Sequence, residues 1–466
     1  MQLSIQHKQQ ASSKYQIFLF NKTCLDSFNL EIQEQISKSE EPFITYLSPN
    51  QKTCYVDLGE KSDSLSLEKM RKIGFDVLKQ IKDKKTTLVS IHLTKDSKQE
   101  FAFLEGFILS AYSFEKYKSE KTPNIEIELI SSTQPTYFEE LKNTTSAVFS
   151  TRDLVNEPQS TLNSTAFKNE IARLFENQNN VSCTVLDKKQ IEALHMSGLL
   201  AVNAASDHPP YFVICEYKPQ TFNNSKPVVL VGKGVVYDTG GLSIKPTQNS
   251  MDIMKCDMAG AAAVIGALLA VTSNQLPLHV ITLIPITDNW IGSKSFAPGD
   301  VLKMANGKTV EVMDTDAEGR LILADALIYA QKFNPELVID LATLTGSAVR
   351  AIGQEGIVYM GNTSKTTKET LEQSGNNCYE RLVEFPLWEE YFEQIKSSIA
   401  DIKNLGGPTA GAITAGKFLE QFIDYNWLHL DIAGPAFIST TDSYRGKEAT
   451  GVGVRLLYDF LKGYNS

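Results

Sequence analysis

Residues 226–272 read KPVVLVGKGVVYDTGGLSIKPTQNSMDIMKCDMAGAAAVIGALLAVT. An apolar, β-branched run at 226–232 leads into a turn with glycines at 232, 234, 240 and 241, and then into an Ala/Gly-rich stretch at 260–272. A buried strand, a glycine-rich turn and a buried helix form one α/β repeat of layers. Three further apolar runs flank it: YFVICEY (211–217), LHVITLIPI (278–286) and LVIDLATL (337–344), with a helical pattern over Leu321–Phe333. Strands alternating with helices predict an α/β domain whose mixed sheet is covered by helices on both faces.

Working outward, the first 145 or so residues mix β-like runs, TLVSIHL (87–93) and IEIELI (125–130), with helical spacing over Leu67–Lys84 and Gln99–Tyr117. A small N-terminal α/β domain over 1–145 and a larger C-terminal α/β domain over 146–466 are expected. The stretch 131–161, a helix ending in an Asn-Glu-Pro turn, would link them. No internal repeat or low-complexity tract is visible.

The 466 residues carry 45 Lys+Arg against 55 Asp+Glu, a net charge of −10. That balance disfavours nucleic acid or an anionic membrane as the main partner. The six cysteines lie far apart with no C-x-x-C pair, which reads as a reduced chain with neither a disulfide scaffold nor a zinc-thiolate site. The most apolar stretch, 258–271, is shorter than the about 18 residues of a membrane span and reads as a buried helix. The N-terminus has no long apolar run and no Arg before residue 20, so a cytoplasmic location is expected.

Two clusters carry candidate chemistry. Residues 231–262 present Lys233, Asp238, Lys245, Asp252, Lys255 and Asp257; residues 314–327, DTDAEGRLILADAL, present Asp314, Asp316, Glu318 and Arg320. Taken singly, Asp257, Asp316 and Glu318 suit helix starts as caps or macrodipole partners, and Lys233 suits a salt bridge. Gly-Lys-Gly is not a phosphate loop, because the Walker spacing fails with Pro227 where glycine is required. Taken together, Asp238, Asp257, Asp316 and Glu318 would crowd one crevice at strand ends, where they raise one another's pKa unless cations neutralise them. Carboxylates without His or Cys suit Mn²⁺, Mg²⁺ or Zn²⁺. None of the six histidines lies in either cluster.

At these clusters the chain resembles the leucyl aminopeptidase family of dimetal exopeptidases, the M17 peptidases. The second cluster differs at one position from that family's Asn-Thr-Asp-Ala-Glu-Gly-Arg-Leu. TRDLVNEP (151–158), SGLLAVNAASDHPP (197–210), PGDVLKMANGKTVEV (298–312), DLATLTGS (340–347), GGPTAGAITAGKFL (406–419), HLDIAG (429–434) and ATGVGVRLL (449–457) are similar to family blocks as well, as is EGFILSAYSFEKYK (105–118). Residues 1–100 resemble the family loosely.

The resemblance implies two divalent ions per subunit, Zn²⁺, Mn²⁺ or Mg²⁺, held by Lys233, Asp238, Asp257, Asp316 and Glu318. A lysine ligand must bind as the neutral amine, far below its ordinary pKa of about 10.4. It further implies a metal-bridging hydroxide as nucleophile, Lys245 as electrophile, and Arg320 holding a bicarbonate that shuttles a proton. Thr343, Leu344 and Gly346 would contact the peptide main chain. Met254 would line the pocket for an apolar first residue such as Leu, or else pack in the core. The partners implied are short peptides and five further copies in a homohexamer of two trimers, with no nucleic acid and no membrane. Two departures stand out: Asp314 replaces the usual Asn, and the loop between Lys245 and Asp257 is one residue longer than in typical members. A catalytically idle scaffold on the same fold is the competing reading, against which all five ligands are retained.

Overall fold

The computed structural model describes residues 4–21, 28, 30–39, 41–47, 52–82, 86–94 and 97–464. The chain divides into two units, Met1–Phe149 with Thr440–Lys447, and Ser150–Ser439 with Glu448–Ser466.

The first unit holds strands β1 (Ile5–Lys8), β2 (Tyr15–Phe20), β3 (Phe43–Leu47), β4 (Lys52–Asp57), β5 (Leu88–His92) and β6 (Glu126–Ile130). They form one sheet in the order β1-β6-β5-β2-β4-β3, parallel throughout except for β3 against β4. Helices α1 (Leu30–Lys38), α2 (Ser64–Lys82) and α3 (Lys98–Leu109) accompany it. Along α2 the buried residues Leu67, Met70, Ile73, Val77 and Ile81 recur at helical spacing, which is why this segment folds as an amphipathic helix. The expected helix over Gln99–Tyr117 ends at Leu109, with Ser110 as its C-cap. Helix α4 (Phe138–Asn156) contains the point at which the two units divide.

The second unit begins with α5 (Ser164–Phe175), β7 (Val181–Leu186), α6 (Lys188–Ala193), α7 (Ser197–Asn203), β8 (Tyr211–Tyr217), β9 (Val228–Gly232) and β10 (Gly234–Asp238). Then come α8 (Ala259–Ser273), β11 (Val280–Asn289), β12 (Val301–Lys303), β13 (Thr309–Glu311), α9 (Glu318–Ala330), β14 (Leu337–Ala342) and α10 (Gly346–Ile352). It closes with β15 (Ile357–Gly361), α11 (Lys365–Cys378), β16 (Leu382–Glu384), β17 (Ile402–Lys403), α12 (Gly411–Glu420), β18 (Trp427–Asp431) and α13 (Val454–Lys462). The main sheet runs β16-β15-β18-β14-β9-β11-β8-β7, with β10 added beside β11. Its centre, β18-β14-β9-β11-β10, is parallel, and β8, β7 and β15 turn it into a mixed sheet. The two sheet faces are covered separately. Val229, Val231, Ile281, Leu283 and Val338 pack with Leu321, Ile322, Leu323 and Leu327 of α9. The alternate residues Val228, Leu230 and Leu341 are equally buried, and α8 packs against β9, β14 and α13.

Helix α8 is apolar all round because it is buried all round. The span Met251–Ser273 has the length and mean hydropathy, 1.7, of a membrane helix, but 94% of its apolar window lies inside the protein. One expectation about the chain is corrected here. Cys183 of β7 and Cys215 of β8 stand opposite each other in the antiparallel register, with Cα atoms 4.1 Å apart, and form a disulfide. Thirty-two residues separate them in sequence, so only the hairpin-like pairing of the strands reveals the pair. Cys54, Cys256 and Cys378 are free and buried, and Cys24 lies outside the described residues.

Candidate metal centre

The carboxyl ends of five parallel strands supply the site, as the geometry of open α/β sheets favours. Lys233 follows β9, Asp238 ends β10, Asn289 ends β11, Thr343 follows β14 and Asp431 ends β18. The first turn of α9 adds Glu318 and Arg320; the loop before it adds Asp316.

Lys233 is 3% exposed. Its ammonium lies 2.8 Å from Asp257 Oδ1, 2.8 Å from Glu318 Oε1, and donates to the Thr343 carbonyl at 3.0 Å. Gly319 makes this approach possible, since a Cβ there would sit 2.6 Å from the Lys233 nitrogen. Lys245, on the turn beyond β10, lies 2.9 Å from Asp238 Oδ2 and 2.5 Å from Asp316 Oδ1. Asp238 Oδ1 accepts the N–H of Gly240 and the amide of Asn289, each at 2.8 Å. One oxygen each from Asp238, Asp316 and Glu318 lies within 4.8 Å of the others.

The cap readings of single carboxylates do not survive this arrangement. Helix α8 starts at Ala259 with Met258 at its N-cap, while Asp257 turns to Lys233 and accepts the Thr343 hydroxyl at 2.8 Å. The N-cap position of α9 is Ala317, and Asp316 faces Lys245 instead of the helix.

Four carboxylates face two lysines here, and the imbalance shows in their protonation. Burial first, then Asp238 and Glu318, push the Asp316 carboxyl up to about 7. Burial also raises Asp257 well above the carboxylate range and raises Glu318, although Lys233 pulls both down. For Lys233 and Lys245 burial favours the neutral amine, but the surrounding carboxylates outweigh it and raise both. Asp257 Oδ2 and Glu318 Oε2 are buried and accept no hydrogen bond from the described residues. Buried carboxylate oxygens without donors are unstable as anions on their own, and a divalent cation is the partner that suits an all-oxygen set with one amine. The donor set therefore fits a metal. Lys233 also makes the salt bridges that its sequence allowed.

Arg320 is 6% exposed; its Nη1 donates to the Asn404 carbonyl at 2.7 Å, while its Nε has no partner among the described residues. Burial pushes its pKa down to about 10, against the pull of Glu318, Asp314 and Asp431. Asp314 resolves one of the two departures: its Oδ1 accepts the Asp316 N–H at 2.9 Å, an Asx turn that asparagine would make equally well. Met254 sits half-buried on a 3₁₀ helix of 6 residues, Met251–Cys256, between Lys245 and Asp257. Leu344 is half-buried and Gly346 exposed, on the turn leading into α10.

Sequence reasoning missed three residues that hold the site. Asn289 ties Asp238 to the Thr315 carbonyl, its amide donating at 2.8 and 3.0 Å. Asn404, fully buried, accepts the N–H groups of Met313 and Asp314 at 2.7 and 3.3 Å, and donates to the Asp314 carbonyl at 2.7 Å. Asp431 holds the turn at Leu344 and Thr345. For Asn289 a signal existed: Thr-Asp-Asn ends an otherwise apolar strand.

Comparison with known proteins is in keeping with this geometry. The profile described as "Cytosol aminopeptidase family, catalytic domain" matches residues 149–458, and the family's N-terminal domain profile matches 47–121. A probable cytosol aminopeptidase of Geobacter sulfurreducens is 41% identical over 430 residues, covering 89% of this chain and 85% of the relative. One of Chlorobaculum tepidum is 45% identical over 394 residues, covering 80% and 77%. Among solved structures, the bottromycin maturation enzyme BotP in complex with Mn superposes with a TM-score of 0.87 at 28% identity, covering 98% of this chain and 100% of that one. A tomato leucine aminopeptidase variant gives 0.84 at 28% identity, covering 99% and 97%.

Proposed function

The chain belongs to the cytosol aminopeptidase family and is a metal-dependent aminopeptidase, and from that premise we propose that it removes an N-terminal leucine or another large apolar residue from short peptides. The observation that carries this reading is the buried set of under-partnered carboxylates around Lys233 and Lys245.

Lys233, Asp238, Asp257, Asp316 and Glu318 would hold two divalent ions, Zn²⁺ or Mn²⁺. Such ions supply Lewis acidity and lower the pKa of water toward neutrality. The chain's own groups do the rest. The acidic face suits a free α-amino group, which only a peptide's first residue offers, so action is confined to the N-terminus. Lys245, placed beside Asp238 and Asp316, would donate to the scissile carbonyl oxygen as charge develops there. Arg320, with Nη1 tied back to Asn404 and Nε without a partner among the described residues, presents a planar fork suited to a small planar anion, bicarbonate, able to take and return a proton. Met254, half-buried beside the site, would line the first-residue pocket, with Thr343, Leu344 and Gly346 along the main chain.

The assay is release of leucine from leucine amide by purified protein, with Mn²⁺ or Zn²⁺ and then with a chelator. Metal-dependent turnover that disappears in Glu318→Ala supports the reading; chelator-resistant turnover, or none in metal-loaded protein, sinks it. The proposal includes assembly into a homohexamer of two trimers, for which the family membership is the support. A monomeric sedimentation mass would dismiss that part. A cytoplasmic location completes the proposal, and fractionation of cells would test it.

A further inference from the structure

Asp431 is a buried acid to which the reaction above gives no part. It ends β18 and is 1% exposed. Its Oδ1 accepts the N–H groups of Leu344 and Ala433, each at 3.1 Å, and its Oδ2 accepts the Thr345 hydroxyl at 2.7 Å. Two of these three donors belong to the turn that follows β14. The same turn reaches the metal residues on its other side, since the Thr343 carbonyl accepts from Lys233 and the Thr343 hydroxyl donates to Asp257. Its far end is also tied, because Thr345 Oγ1 accepts the Ala348 N–H at 3.0 Å and caps α10.

A carboxylate buried at a strand end needs a counter-charge. His429 lies two residues earlier on the same face of β18, opposite Asp340 of β14 in register. Its Nδ1–H donates to Asp340 Oδ1 at 2.6 Å, and the Trp427 indole donates to Asp340 Oδ2 at 2.7 Å. His429 Nε2 is fully buried without a partner among the described residues. The charged groups facing this imidazole are Asp340, Asp431 and, from α9, Arg320. Burial favours neutral imidazole, and the two carboxylates outweigh it. Two strands thus bring the His429 imidazole, held from behind by Asp340 and Trp427, within electrostatic reach of Asp431.

We propose that Asp431, backed by the Trp427–Asp340–His429 chain, is a positioning residue that sets the 343–345 turn and thereby seats the peptide main chain against Lys233 and Asp257. The inference rests on the aminopeptidase reading and deepens it. Its test uses metal-loaded enzyme, leucine amide and Leu-Gly-Gly, with metal content measured beside the kinetics. Thr345→Val is close to isosteric and removes both the bond to Asp431 and the Ala348 cap of α10. Losing the first should raise KM for Leu-Gly-Gly about tenfold, the worth of one hydrogen bond to a charged group, with a smaller change in kcat and wild-type metal content, while Ser347→Ala beside the cap should leave KM unchanged. Thr345→Ser should restore the wild-type value. Asp431→Asn should raise KM about ten- to a hundredfold, and adding Thr345→Val to it should cost little more, because the same bond is already lost.

Additive effects, or unchanged KM in Thr345→Val, overturn the proposal while wild-type turnover leaves the aminopeptidase reading intact. Should Asp431→Asn fail to fold, the two Thr345 variants decide alone. A wild-type holoenzyme that cleaves neither peptide overturns both.

Discussion

Two glutamates, Glu128 of β6 in the first unit and Glu318 of α9 in the second, are 2% and 1% exposed, and they differ in almost everything else. Glu128 accepts from Lys8 at 2.5 Å, from the Ser90 hydroxyl at 2.7 Å, from the Ser12 N–H at 3.0 Å and from the Ser12 hydroxyl. Those donors overcome its burial and push the carboxyl down to about 2. Among the described residues Glu318 has one cation in salt-bridge contact, Lys233, which it shares with Asp257, and its Oε2 has no donor. Burial and the nearby Asp238 push its carboxyl up. Glu128, with its oxygens satisfied, is part of the scaffold; Glu318, short of donors and clustered with Asp238 and Asp316, suits a cation.

The largest expected effect tests that contrast directly. Glu318→Gln should cost more than about a thousandfold in kcat/KM, beyond the loss of a single oxyanion donor, and should lose metal. It should leave the stability of the metal-free fold unchanged or improved, because an unsatisfied buried acid is gone. Lys245→Ala comes next: metal content retained, kcat down about 10²–10³-fold. Either variant keeping its rate would remove that residue from its role.

The scaffold side of the comparison is read in stability. Glu128→Gln should lower unfolding free energy by about 2–4 kcal/mol in denaturant titrations and leave metal content at the wild-type level. A smaller loss than in metal-free Glu318→Gln would reverse the comparison. The pH dependence follows from the depressed carboxyl. Its contribution is complete above the ordinary value of 4.5 and is lost as pH falls toward about 2. Acid unfolding of the wild type should therefore steepen in that window, and Glu128→Gln should lack that part of the slope.

How far the sequence could be read follows the same division between local and distant causes. Strand, turn and helix over 226–272 are legible because hydrophobic pattern and glycine placement are local. The strand ends β9 and β10 then deliver Lys233 and Asp238 to one place, and the second cluster carries Asp316 and Glu318 within three residues. Asn404 could not be read, since its partners Met313 and Asp314 lie some ninety residues away and nothing in KNLGG marks it. Asp431 sits in HLDIAG, a stretch noted for its resemblance, yet its role appears only when β18 and β14 pair. The disulfide between Cys183 and Cys215 is of the same kind, a consequence of register between β7 and β8.

The smallest expected effect concerns the residue by which the second cluster departs from its family. Asp314 is two residues from Asp316 and adds a formal negative charge near Arg320, so sequence alone allowed a changed metal preference. In the fold its Oδ1 is spent on the Asp316 N–H, and the group of carboxylate oxygens that lie together does not include it. Asparagine offers the same acceptor at the same place. Asp314→Asn should therefore change kcat/KM for leucine amide by less than about threefold, the scale of a surface charge pair, and leave the metal content unaltered. A tenfold change, or a switch in the activating metal, would mean that the extra charge is felt at the metals, and that an acid with its visible oxygen satisfied can still belong to the functional side of the comparison.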